Sequence, residues 1–179
     1  IIYHKPIAKK IIDTVKAEVV RLRTEKRVIP NLAVILAGED PASESYVRGK
    51  EKALRDAGIE SVLHRFSASD LEESVLSLIS KLNEQKSVHG ILVQLPLRKG
   101  FSTEKILEAI LPSKDVDGLH PLNMGKLLKG ADPLFTPCTP AGIIELILST
   151  GVDIATEHGV VVGRSNLVGK PTAILLLGK

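Results

Sequence analysis

The spacing of apolar residues changes along this chain in a regular way. Ile7, Ile11, Ile12, Val15, Val19 and Leu22 recur mostly at three- and four-residue intervals, which predicts an amphipathic helix over 7–26. NLAVILA (31–37) is a short, almost unbroken apolar run and predicts a strand buried on both faces. SVLHRF (61–66) and VHGILVQ (88–94) predict a second and a third strand. Between the first two lies SESYVRGKEKALRDAG (43–58), a helix with Asp40 as its cap, Pro41 in its first turn and Gly58 as its stop. SDLEESVLSLISKLNE (69–84) predicts a helix capped by Ser69, with Glu72 completing a capping box, and STEKILEAI (102–110) predicts a further one. Strands alternate with helices, and the strands are largely apolar. That is the pattern of an α/β fold, a parallel sheet covered by helices on both faces.

The alternation breaks over 112–140, PSKDVDGLHPLNMGKLLKGADPLFTPCTP, where Pro, Gly and Asp are dense. A loop of that length is usually functional or disordered. AGIIELILSTG (141–151) returns to a helical pattern and reads as a connector. HGVVVGRSNLVGKPTAILLLGK (158–179) reads as strand, Gly-rich turn and helix. The expected division is a domain over 1–140, a connecting helix over 141–151 and the beginning of a second domain over 152–179.

At about 100° per residue, Tyr46, Val47, Lys50, Ala53, Leu54 and Ala57 share one stripe of the 43–58 helix. Arg48, Glu51, Lys52, Arg55 and Asp56 take the other side, so Lys50 falls in the middle of the apolar face. Two readings compete: the stem packs while the ammonium reaches water, or the lysine serves a ligand site. Ligands of open parallel sheets bind beyond the carboxyl ends of the strands, and Lys50 lies in the helix after the first strand. Gln94 ends the third strand in VQLPL, where its amide either steadies a turn or faces a ligand. Asp115 and Asp117 in KDVDG either close an Asx-type turn or accept paired N–H bonds from an amino-substituted ring. The other oxygen ligands and the distal Glu of a calcium loop are missing.

VVVGRSNLVGKP is a dinucleotide fingerprint in altered form. Gly163 ends the strand, Gly169 permits close approach, Pro171 starts the helix, and the helix amides then favour a pyrophosphate. The plainer reading is a tight strand-to-helix turn. Arg164, directly after the strand, suits a ribose 2′-phosphate and so favours NADP over NAD. The Tyr46–Lys50 spacing also occurs in short-chain dehydrogenases, but their Gly-rich turn comes first; here it follows at 163, and that family is rejected on order.

Composition narrows the classes further. At 44% hydrophobic and 25% charged, 179 residues can bury a core, and disorder is excluded. Three Phe, two Tyr and no Trp leave few rings to stack bases, so nucleic acid is not an expected partner; a net charge of +3 suits an anionic small ligand. Cys138 is the one cysteine, so no internal disulfide forms and a reducing compartment is favoured. His4, His64, His89, His120 and His158 lack metal-ligand spacing, and no metal site is expected. No apolar run is long enough to span a bilayer, so no membrane partner is expected. The chain begins at Ile1, which leaves a removed targeting segment open; the expected location is cytoplasmic, with mitochondrion or plastid still open.

The stretches AVILAGEDPASESYVRGKEKA, GILVQLPL, KDVDGLHPLNMGKL, FTPCTPAGIIELI and VVVGRSNLVGKP closely resemble, in order and spacing, the methylenetetrahydrofolate dehydrogenase/cyclohydrolase family. The resemblance implies a folate-side α/β domain and a Rossmann-type NAD(P) domain around a cleft, and homodimers formed through the cofactor domain. It implies oxidation of 5,10-methylenetetrahydrofolate with NADP, or NAD, and hydrolysis of the product to 10-formyltetrahydrofolate, within one-carbon metabolism and purine biosynthesis. By resemblance Lys50 is the essential acid/base, Gln94 hydrogen-bonds and tunes it, and the Tyr46 ring packs on the folate. Asp117 anchors the pterin, while Gly163, Arg164, Ser165 and Gly169 serve the cofactor. Desolvation by Val47 and Leu54 would disfavour an ammonium at Lys50, which agrees with that role.

The family pattern continues for about another hundred residues beyond Lys179, as two-domain size implies. The 179 residues alone are therefore expected to be a poor dehydrogenase, with 152–179 mobile or swapped into a partner. The competing reading is a folate-binding or dimerising fragment without turnover. A dehydrogenase for another substrate is disfavoured by the folate-specific motif set.

Overall fold

The computed structural model describes residues 3–38 and 40–178. The chain divides into two compact units, one over 12–116 and one made of 1–11 with 117–179.

The first unit is built on a three-stranded parallel sheet of β1 (Asn31–Ala37), β2 (Glu60–Phe66) and β3 (Gly90–Gln94), in the order β2-β1-β3. Asn31 pairs with Glu60 and Leu32 with Gly90, and both ladders run in register from there. The central strand β1 shows why NLAVILA has no polar alternation. Ala33, Ile35 and Ala37 point to one face, where Val75, Ile79 and Leu82 of α3 (Glu72–Glu84) and Ile106 of α4 (Thr103–Glu108) complete a core. Val34 and Leu36 point to the other, against Val47 of α2 (Pro41–Ala57) and Leu92 of β3. Each such Ile, Leu or Val contributes about 1.5–3 kcal/mol by leaving water.

Several boundaries differ from the pattern, each for a local reason. The first helix, α1 (His4–Arg21), widens into a π-turn over Leu22–Lys26. There the Thr24 hydroxyl donates to the carbonyls of Val20 (3.0 Å) and Arg21 (3.2 Å), competing with the helical ladder. β3 starts at Gly90 rather than 88. The capping box at Ser69 does not form. Helix α3 begins at Glu72 after Leu71, without a side-chain cap. Ser69 instead shares a 2.8 Å hydroxyl contact with Ser67, whose own N–H and hydroxyl donate to Asp70. The Glu72 carboxylate accepts from the Ser102 N–H and from Lys105 Nζ at 2.9 Å, so it gains a cationic partner that a capping box would not supply. The Lys105 ammonium, with the Ser102 amide, holds Glu72 below the usual carboxylate range.

In the second unit, the 112–140 break contains a helix that the pattern missed, α5 (Pro121–Leu128), capped by His120 Nδ1 accepting from the Leu122 N–H at 3.0 Å. Helix α6 (Cys138–Leu148) starts three residues earlier than expected, because Pro140 sits in its first turn, where no N–H is required. It ends where the Ser149 and Thr150 hydroxyls donate to the Leu146 and Ile147 carbonyls, at 2.6 and 2.7 Å. Helix α7 (Gly169–Leu177) packs on α6 and α5. The strand expected at 158–163 is not formed: the segment pairs with no strand among the described residues, and Val160 and Val162 are 83% and 98% exposed. An apolar run becomes a strand only with a ladder partner, and the β2-β1-β3 sheet supplies none here. No helix among the described residues is long and apolar enough to cross a membrane.

Candidate functional site

Helix α2 is fixed at both ends as its sequence requires. Asp40 accepts from the N–H and the hydroxyl of buried Ser43, both at 2.9 Å, and Gly58 closes the helix at φ 79°. Glu44, in its first turn, pairs with Arg65 near the end of β2, which ties the helix to the sheet and holds the Glu44 carboxyl below its usual range. Val47 is fully buried against Val34, Leu36 and Leu92, and this sets the rotation of the helix. The expected stripe is only partly a core face: Val47 and Ala57 are buried and Lys50 and Leu54 half-buried, but Ala53 is exposed and Tyr46 is 66% exposed.

That rotation brings Lys50 to the end of β3. Its Nζ donates to Gln94 Oε1 at 3.1 Å, across 44 positions of sequence. Gln94 is buried, and its Nε2 donates to the Leu95 carbonyl at 2.8 Å. With the NH2 side committed to a carbonyl, the amide presents its oxygen to the lysine. Ser45, Tyr46, Gly49, Lys50 and Ala53 line an open concavity of about 610 Å³. An exposed ring and an amine one turn apart, with the amine steered by an amide, suit a planar ligand that exchanges protons.

Asp115 and Asp117 are separated by the fold. Asp115 is buried and bridges to Ile91 beside β3, whereas Asp117 is half-buried and is the first residue of the second unit's longer segment. Gly118 follows at φ 67°, and a Cβ there would lie 2.6–2.8 Å from backbone atoms of Phe135, Thr136 and Pro137. The glycine is therefore required for the chain to pass that close.

In the GRSNLVG turn, Gly163, Arg164 and Ser165 are exposed and Gly169 is buried. A Cβ on Gly169 would lie 2.6 Å from the Gly163 carbonyl carbon and oxygen, so the two arms of the turn touch backbone to backbone. Ser165 has a role that sequence reasoning missed. Its hydroxyl accepts from the N–H groups of Val168 (3.1 Å) and Gly169 (3.2 Å), closing the turn that leads into α7; a serine opening a turn before a helix was the available signal.

Residues 2–117 match the family described as tetrahydrofolate dehydrogenase/cyclohydrolase, catalytic domain, and residues 137–179 match its NAD(P)-binding domain. The chain belongs to this family. A bifunctional protein FolD of Geotalea daltonii is 54% identical over 177 residues, which are 99% of this chain and 62% of that protein. The structure of a FolD methylenetetrahydrofolate dehydrogenase/cyclohydrolase from Campylobacter jejuni superposes with a TM-score of 0.94 at 42% identity, covering 98% of this chain and 62% of the other. A FolD from Trypanosoma brucei, complexed with NADP cofactor and inhibitor, also gives 0.94, at 34% identity over 99% and 61%. The chain thus spans about three-fifths of the length of the relatives it matches. Members of the family share the α/β fold described above.

Proposed function

We propose that this protein oxidises 5,10-methylenetetrahydrofolate to 5,10-methenyltetrahydrofolate with NADP, NAD being the alternative acceptor, and hydrolyses the product to 10-formyltetrahydrofolate. The observation that carries the reading is the Lys50–Gln94 hydrogen bond beside the concavity that Tyr46 lines. Membership of the family and likeness to FolD proteins support it.

Tyr46 offers its exposed ring to the planar part of the folate. Asp117 accepts N–H bonds from the pterin, in the role of a carboxylate facing an amino-substituted ring. In the hydrolytic step water adds to the cationic methenyl carbon and loses a proton to Lys50. The carbon–N5 bond then breaks as the remaining hydroxyl proton leaves and N5 gains one, and the formyl group stays on N10. Gln94 keeps the Lys50 nitrogen aimed during both transfers.

The close backbone contact between Gly163 and Gly169 fits a turn that leaves room for a pyrophosphate, and the exposed Arg164 fits a 2′-phosphate. The nicotinamide cofactor, when bound there, supplies the hydride acceptor. Ser165 holds this turn closed through the Val168 and Gly169 N–H groups and, with a cofactor bound, would serve its phosphates. The protein acts as a homodimer in the cytoplasm.

The test is Lys50→Met in the full-length protein. Hydrolysis of methenyltetrahydrofolate is expected to fall by at least about a hundredfold, as for loss of a general acid/base, with an unchanged circular dichroism spectrum. Retained hydrolysis with native circular dichroism overturns the assignment.

A further inference from the structure

We propose that Lys114 is a positioning residue for Asp117: its ammonium, seated on the C-terminal carbonyls of α3, holds the 114–116 segment so that Asp117 leaves it in a folate-binding register. The inference rests on the role of Asp117 given above.

The last carbonyls of a helix have no partner within it and carry its negative end. In α3, the Leu82 carbonyl and that of Gln85, just past the helix, both accept from Lys114 Nζ at 2.7 Å. The ammonium is drawn in far enough that burial pulls Lys114 below the usual lysine range. Its backbone is engaged at the same place. The Lys114 carbonyl accepts from the N–H of Ile91 at 2.8 Å and of Val116 at 3.0 Å, and Asp115 forms a parallel bridge with Ile91. Val116 then lies over Gly90, where a Cβ would meet its methyl at 2.4 Å, so β3 and the segment interlock.

Residues 114–116 are therefore a turn pinned beside β3 through the single bridge at Asp115, and Asp117 is the next residue. On its far side Gly118 is held by the backbone of 135–137. Among these anchors, the Lys114 ammonium is the one that reaches α3, and a side-chain change releases it without rebuilding the backbone. Its length also sets how far the segment lies from α3. A lysine that only capped a helix would stabilise the fold without influence on ligand affinity.

Asn83 provides the control. It is on the same helix turn, donates from Nδ2 to the Ala109 carbonyl at 2.8 Å and accepts from the Leu111 N–H at 3.0 Å, but it holds the chain upstream of Lys114. Lys114→Met, Lys114→Arg, Asn83→Ala, Asp117→Ala and the Lys114→Met/Asp117→Ala pair are compared in the full-length protein by tetrahydrofolate titration, kcat, the KM values for both substrates, and Tm. Lys114→Met is expected to raise the tetrahydrofolate Kd and the folate KM about tenfold, as for loss of charge-assisted bonds that fix a binding group. Its kcat and the NADP KM stay unchanged, Lys114→Arg recovers most of the affinity, and in the Asp117→Ala background Lys114→Met adds no further loss. Asn83→Ala lowers Tm while leaving folate affinity intact. Equal folate losses from Asn83→Ala and Lys114→Met at matched Tm, or full additivity of Lys114→Met with Asp117→Ala, would overturn the inference. Should Lys114→Met not fold, Lys114→Gln, which keeps a donor for one carbonyl, is held to the same comparison. An unchanged folate Kd in Asp117→Ala overturns the Asp117 role itself, and this inference with it.

Discussion

Gly118→Ala should be among the costliest methyl additions in this protein, and its cost can be separated into parts. At φ 67° an alanine pays about 1–2 kcal/mol for the left-handed conformation. The new methyl would also lie 2.6 Å from the Thr136 carbonyl carbon, 2.7 Å from the Pro137 nitrogen and 2.8 Å from the Phe135 oxygen. These are backbone atoms, so relief needs a main-chain shift, and overpacking of that kind costs about 1–3 kcal/mol more. Gly→Ala also restricts the unfolded chain, which offsets about 0.4–1 kcal/mol. Gly130 shares the same φ of 67° but has nothing within 4 Å of its would-be Cβ. Gly130→Ala therefore carries the conformational cost and the offset without the collision. Urea unfolding of both variants in the full-length protein should place Gly118→Ala at least about 1 kcal/mol below Gly130→Ala. Equal midpoints and slopes would refute the reasoning, because the two sites share their φ and the contact with 135–137 is present at Gly118 alone.

Two further outcomes follow from geometry already described. Gly169→Ala would separate the two arms of the 163–169 turn, since its methyl would fall on the backbone of Gly163 and Arg164; the NADP Kd should rise about tenfold with tetrahydrofolate affinity unchanged, read by fluorescence titration. Glu72, held below the usual carboxylate range by Lys105 and the Ser102 amide, contributes stability that is fully present above its ordinary value of 4.5 and is lost as pH falls through the depressed one. Glu72→Gln should thus flatten the acid side of a Tm-against-pH curve between pH 7 and 3; an unchanged acid slope would show that the pair does not couple to folding.

What could be read in advance was whatever is local or periodic. The capping of α2 by Asp40, Pro41 and Gly58 involves neighbours a few residues apart, and β1 spans the seven residues of its apolar run. The Lys50–Gln94 pairing joins positions 44 residues apart. No period announces it; the rule that ligands gather at strand carboxyl ends points to both residues, and the family resemblance implies the bond between them. Glu72 was misread because its partners, Ser102 and Lys105, come from another helix and outcompete the local cap. Helix α5 was hidden by its own residues: Pro121 and Gly125 look like loop, and a histidine is an unusual cap. The 158–163 run has the composition of a strand, but a strand also needs a neighbour.

The committed amide of Gln94 also has a stereochemical consequence for the amine it holds. Because the oxygen faces Lys50, that contact requires an N–H from the lysine in either protonation state. A neutral amine keeps two N–H groups and one lone pair at tetrahedral angles. If one N–H points at Gln94, the lone pair cannot. The carboxamide thereby excludes one direction of proton capture, and the basic lobe of the nitrogen is left to the sides that do not face β3.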